Sequence, residues 1–350
     1  MRSKNFILIM AMLVLAVFAV GSVSAAENVT TDIDVQTDDV ALDDVSVEEA
    51  VDQEKIVEQT RSITPYTVDN TTDIQSIISG STDSIVINFA NQTYKNFALT
   101  LNNSVTLNGN GAKLIGDGSH DLFTLTGKSN IIITGFIMDI NSTTHAAAYG
   151  SAVTNVVIKN NTIENGRDGI SFFRSYDNVT IEDNIMKNFS RDAISLANPQ
   201  GTANWDNLVG VIIRNNTISS YRGDDNYGIF IGGAFKGIIT QNCISGFKYG
   251  MQFLGKPTPD QGKLNATLSY NNITNVEIGI DMDHPNVIYL YLDHMKFDLI
   301  EDADISTGVD FGTYTYIGVY NSVFYYGVSS EFYNATGNNK GNNINFEELE

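Results

Sequence analysis

The chain carries one cysteine and one tryptophan in 350 residues, five prolines, and only 20 basic residues against 41 acidic ones. A single thiol excludes an intramolecular disulfide, so stability has to come from packing. That thiol, Cys243, lies in Ile239-Thr240-Gln241-Asn242-Cys243-Ile244, a strand context without a histidine partner, and is expected to be packed and inert. The formal net charge of −21 argues against nucleic acid as a partner.

Long apolar runs are also scarce. The one such run, Phe6 to Val20, follows Arg2 and Lys4 and leads into Val23, Ser24 and Ala25. Its length is short for a membrane span, and the small residues behind it fit a peptidase, so residues 1–25 read as a signal peptide cleaved after Ala25. Losing Arg2 and Lys4 takes the charge from −21 to −23. The expected location is secreted or cell surface, with no transmembrane segment after cleavage. Residues 26–62 follow as an acidic, aromatic-free leader, in which twelve carboxylates face only Lys55 and Arg61. Such a stretch reads as a solvated spacer.

What the chain has in quantity is hydrophobic residues, 42%, arranged in a repeat. One phrase places an apolar residue three positions before an Asn and another two positions after it. The copies are Leu107-Asn110-Ala112, Ile158-Asn161-Ile163, Ile181-Asn184-Met186, Ile213-Asn216-Ile218, Ile239-Asn242-Ile244 and Leu268-Asn271-Ile273, with Asp293 and Phe136 replacing Asn in two more. A second phrase, a small residue and then two apolar residues one position apart, follows most of them: Gly169-Ile170-Phe172, Ala193-Ile194-Leu196, Gly228-Ile229-Ile231, Gly250-Met251-Phe253 and Gly279-Ile280-Met282. From Asn161 to Asp293 the successive separations are 23, 32, 26, 29 and 22 residues, which is a short coil lengthened by insertions.

A strand period of two turns Val156 and Ile158 inward and Val157 and Lys159 outward. A lone coil cannot bury that stripe, so the pattern predicts an all-β solenoid, a right-handed parallel β-helix over residues 63–335. The asparagines Asn110, Asn161, Asn184, Asn216, Asn242 and Asn271 are expected at one turn, in a left-handed conformation, with their amides forming a ladder. Residues 72–79 read as a short helix forming an N-terminal cap, and residues 336–350 as a polar tail.

These phrases, with an opening from Thr72-Asp73-Ile74 through Val105-Thr106-Leu107-Asn108-Gly109, resemble the pectate-lyase-like right-handed β-helix superfamily and, within it, the adhesin-like surface proteins of methanogenic archaea. The resemblance spans roughly Pro65 to Gly327. It implies the fold, and for the adhesin-like group it implies attachment to surfaces or cells through carbohydrate. The same scaffold carries lyases, hydrolases and epimerases, so activity has to be argued from a site.

A Ca²⁺-dependent uronate lyase needs clustered carboxylates and a basic residue. Arg167-Asp168 and Arg191-Asp192 precede consecutive copies of the second phrase, so Asp168, Arg191 and Asp192 should stack one coil apart, with Asp281, Asp283 and His284 three coils further on. The plainer reading is a salt-bridge ladder on a solvated face. Acid-base hydrolysis would require clusters such as Gly-His-Gly and Arg-Ile-Lys, which do not occur, and the four histidines show no metal-ligand spacing. No cofactor is expected, Ca²⁺ entering only with the lyase. Two insertions, 197–208 and 254–264, should leave one edge of the stack. In the first, Trp205 with Asn204 and Asp206 could present a ring to a sugar, or plug its own loop. Twelve Asn-x-Ser/Thr sequons suit an exported glycoprotein, although the ladder turn itself favours Asn-Asn-Thr. The sequence therefore favours a non-catalytic adhesin-like protein binding polysaccharide or cell-envelope glycan, with a lyase or a purely structural envelope spacer as alternatives.

Overall fold

A computed structural model describes residues 65–198, 209–221, 223, 225–255, 263–283, 286–306, 313–314, 317–324 and 345–346. The signal and leader segments, His284 and the triplet Asn204, Trp205 and Asp206 lie outside the described residues.

Successive coils pair in parallel and build three sheets. The first holds Ile85–Phe89, Val105–Asn108, Ser129–Thr134 and their successors; the second holds Thr93–Phe97, Lys113–Gly116, Ile137–Asp139 and theirs. The third is laid down by the Gly phrase, as in Asp192–Asn198, Tyr227–Gly233 and Tyr249–Leu254. Two long strands, Ala146–Lys159 and Asp168–Glu182, bend from the third sheet into the first, and the register between them shifts after Ser151.

Alternation makes the core. In the first sheet Ile87, Leu107, Ile133, Ile158, Ile181, Ile213, Ile239, Leu268, Leu292 and Val319 stand one above another, each essentially inaccessible. Each such side chain contributes about 1.5–3 kcal/mol by leaving water. Near the N-terminal end Phe89, Phe97, Phe123 and Phe136 meet edge to face or tilted, filling the coil with rings. There the helix Ile74–Gly80, capped by Asp73, lays Ile74 and Ile78 on the core.

The corner between first and second sheets holds the asparagine ladder. Asn184 Oδ1 accepts from the backbone N–H and the Nδ2 of Asn161, at 3.1 Å each, and the same pair of bonds joins Asn184 to Asn216, Asn216 to Asn242 and Asn242 to Asn271. The second Nδ2 hydrogen goes to a carbonyl of the preceding coil, for Asn216 that of Ile181 at 2.9 Å. Several expectations are corrected. The left-handed residue is the one before the ladder position, Asn160, Asp183, Asn215, Gln241, Tyr270, His294 and Asn321, with φ from 46° to 58°; in the coil after Asn271 the ladder position is therefore Met295, and Asp293 stands two residues before it, level with Ser269. The chain turns at the left-handed residue, leaving the next free to point its amide inward. Asn110 likewise sits at φ 50°, is exposed, and donates to the Phe89 carbonyl at 3.3 Å; the ladder row passes instead through Ala112 and Phe136, because the Gly109–Ala112 corner is longer. Cys243 is also exposed, pointing outward between inward-facing Asn242 and Ile244.

Candidate functional site

The outer face of the third sheet carries the side chains that the Gly phrase turns outward. Register places Tyr149, Ser171, Ser195, Phe230, Gln252 and Asp281 in one row. Beside it run a row of Asp168, Asp192, Tyr227 and Tyr249 and another of Phe173, Ala197 and Gly232. Along the first row two serines stand between two aromatic residues. Strand spacing puts Tyr149 and Phe230 three steps apart, about 14 Å, so the serines floor a notch with ring walls. Phe173 lies 5.5 Å from Tyr149 at one end; at the other, Tyr227 lies 5.4 Å from Phe230 and is backed by Tyr249 at 5.0 Å. Gly232 is part of this construction, since a Cβ there would meet the Phe230 ring at 3.0 Å. The notch encloses about 420 Å³.

Beneath one side lies a charged cluster. Asp168 is fully buried, yet Arg167 Nη2 reaches its Oδ2 at 2.8 Å, and Arg191 grips both oxygens, Nε to Oδ1 at 3.0 Å and Nη2 to Oδ2 at 2.9 Å. The two guanidiniums are 37% and 42% exposed, so their outer edges face the notch. Asp192, one coil on, has Oδ2 3.2 Å from Arg191 Nε, while its buried Oδ1 has no hydrogen-bond partner. Burial first, and then the neighbouring Asp168 carboxylate, push the Asp192 carboxyl up to about 7, against the pull of Arg191, Ser195 and Arg167. Tyr227 donates to Asp225 Oδ1 at 2.5 Å, and burial followed by this bond raises its phenol.

Asp168, Arg191 and Asp192 are thus brought together, as their spacing in the sequence required. Their setting differs from the solvated salt-bridge ladder: both carboxylates are buried, and one is clamped by two arginines. Asp281 stands three coils beyond Asp192, in the serine row, bonded to Gln252 at 2.7 Å and raised by burial. Among the described residues no group of three or more His, Cys, Asp and Glu could hold a metal ion. The strands that precede the two insertions, ending at Asn198 and Leu254, leave the same edge of the third sheet, with residues 199–208 and 256–262 outside the described ones.

Tyr149, Phe173, Tyr227 and Phe230 went unread in the sequence. The signal was present in the middle position of the second phrase, which must point outward and changes there from Ser171 and Ser195 to Phe230.

Three solved structures are similar to this chain to differing degrees. A family 28 exopolygalacturonase from Yersinia enterocolitica superposes with a TM-score of 0.50 at 13% identity, covering 74% of this chain and 72% of its own. The surface protein and adhesin PfbA of Streptococcus pneumoniae gives 0.41 at 10% identity over 64% and 77%, and the A-module of the mannuronan C-5 epimerase AlgE6 of Azotobacter vinelandii gives 0.29 at 14% over 74% and 96%. The likeness to the first is one of fold. No curated protein matches the chain. The profile of the right-handed beta helix region matches residues 85–273, more than half of the chain, along the coils that carry both the ladder and the notch; the protein belongs to the right-handed β-helix family.

Proposed function

We propose that this is an exported, non-catalytic β-helix protein that binds saccharide in the notch between Tyr149 and Phe230. One observation carries the reading: a floor of small polar residues two coils wide, closed at both ends by aromatic rings and flanked by partly exposed guanidiniums. Sugar rings present apolar C–H faces and polar edges, and such a notch offers both kinds of contact. Trp205 remains a second contact by expectation, since its loop follows Asn198 at the edge of the same sheet.

The gathering of Asp168, Arg191 and Asp192 favours one competing reading, a Ca²⁺-dependent lyase. Against it stands the state of those groups. Both Asp168 oxygens are occupied by arginines, and Arg191 is spent on Asp168, which leaves neither as an open calcium ligand or a free base.

The test is a panel of uronate and neutral polysaccharides with Ca²⁺ present, reading binding and ultraviolet-absorbing product together. Binding without product, weakened at least tenfold by Tyr149→Ala or Phe230→Ala, is expected. Unsaturated product would establish the lyase, binding lost only with Trp205→Ala would move the site to the 197–208 loop, and no ligand at all would leave the spacer role.

A further inference from the structure

The floor of the notch has a property that fold stability does not require. Asp192 lines a cavity large enough for a sugar ring, and its buried Oδ1 has no hydrogen-bond partner. The groups facing Asp192 are Arg191 and Ser195 from its own segment, Asp168 and Arg167 from the coil before, and Tyr227 and Asp225 from the coil after. Further out, Asp121 lies 3.5 Å from His145, and Arg174 rides over the Phe173 ring at 5.4 Å. Arg167, Arg174 and Arg191 therefore balance Asp121, Asp168 and Asp225, and the notch is neutral while Asp192 keeps its proton. A neutral notch in a chain of net charge −21 has no electrostatic preference for an anionic polymer.

Donors dominate the floor: the Ser171 and Ser195 hydroxyls, the Asp192 carboxyl and the outer edges of two guanidiniums. Apolar surface stands beside it in Phe173, Ala197 and the ring walls, and a carboxylate acceptor, Asp225, lies at the rim. An acceptor oxygen, a small apolar group and a single N–H is the inventory of an acetamido group. We infer that the notch takes an N-acetylated sugar, its carbonyl accepting a hydrogen bond from Asp192, its methyl packing on the neighbouring Tyr227 and Phe230 rings, and its N–H donating to Asp225. The inference rests on the saccharide-binding reading and names the ligand class for that site. An unsubstituted hexose lacks both the carbonyl and the methyl, and a uronate brings a second carboxylate beside Asp168 and sets it against the protonated Asp192.

Proton linkage follows from the same geometry. The carboxyl donates only while protonated, and burial beside Asp168 keeps it so up to about pH 7. Above that, binding has to restore the proton, and affinity falls by up to about tenfold per pH unit.

The experiment is calorimetric titration of the full exported chain with oligomers of N-acetylglucosamine, N-acetylgalactosamine, glucose and galacturonate at pH 6.0 and 8.5. An acetamido oligomer is expected to bind at least about tenfold tighter than the unsubstituted one, the cost of an unpaired buried group, and to weaken by about tenfold or more at the higher pH. Asp192→Asn keeps a donor that does not titrate, so it should hold affinity within about threefold at pH 6.0 and lose the pH dependence. Preference for glucose or galacturonate, or a pH profile unchanged in Asp192→Asn, overturns the inference while leaving the notch as a saccharide site. Absence of binding by all four overturns both readings.

Discussion

Two corners of this stack bury polar side chains coil after coil, and they differ in how completely those groups are paired. At the asparagine corner every amide from Asn161 to Asn242 spends Oδ1 and Nδ2 on the next coil or the one before. At the carboxylate corner Asp168 is saturated by two arginines, while Asp192 keeps an unpartnered oxygen and a carboxyl raised to about 7. A closed network stabilises and fixes register; an open one in a cavity costs stability and is where a ligand finds work. Burial alone would have put both corners in one class. Pairing separates them.

The comparison breaks most sharply at the ladder. Asn216→Ala removes two bonds to Asn184 and those to Ile181 and Asn242, and orphans the Asn184 backbone N–H inside the stack. A loss of about 3–5 kcal/mol is expected in a denaturant melt.

The carboxylate corner should respond in the opposite sense. A carboxyl raised from 3.8 to about 7 binds a proton in the folded state that the unfolded chain has already released, so its contribution falls as pH rises through that window. Asp192→Asn should flatten a slope of order 2–4 kcal/mol between pH 4 and 7 and be the more stable protein at pH 8. Asp168→Asn removes the neighbouring charge and should move the same window downward, measured by thermal melts across pH.

Smaller effects mark residues outside both corners. Asn110, left-handed and exposed beyond the ladder, should lose only about 1 kcal/mol as Asn110→Ala and almost nothing as Asn110→Gly. Cys243 faces outward, so it should react with a thiol reagent in the native protein, and Cys243→Ser should shift stability by under about 0.5 kcal/mol.

Much of the scaffold was legible because a solenoid writes its register into the chain. The spacing of Ile158-Asn161-Ile163 and its copies fixes what is inward, and the Gly-Ile phrase adds a second corner. The misreadings came where one residue decides a direction: the left-handed turn belongs to Asn160 and not Asn161, and Cys243 sits between two inward residues. The site was half legible. Pairing of Arg167-Asp168 with Arg191-Asp192 could be read from consecutive phrases, but the burial of the carboxylates could not, because it depends on neighbouring coils covering them. The aromatic walls were hidden for the same reason, since Tyr149 and Phe230 are distant in sequence and meet the notch only through registers spanning insertions.

The central claim is that the carboxylate corner floors a ligand site. Ser171→Phe tests it directly, because Ser171, 6% exposed, lines the notch between Tyr149 and Ser195, and a ring there would fill it. Saccharide affinity measured by calorimetry should fall at least about tenfold in a variant whose thermal melt is still cooperative; full affinity in that variant would place the binding site elsewhere and contradict the account.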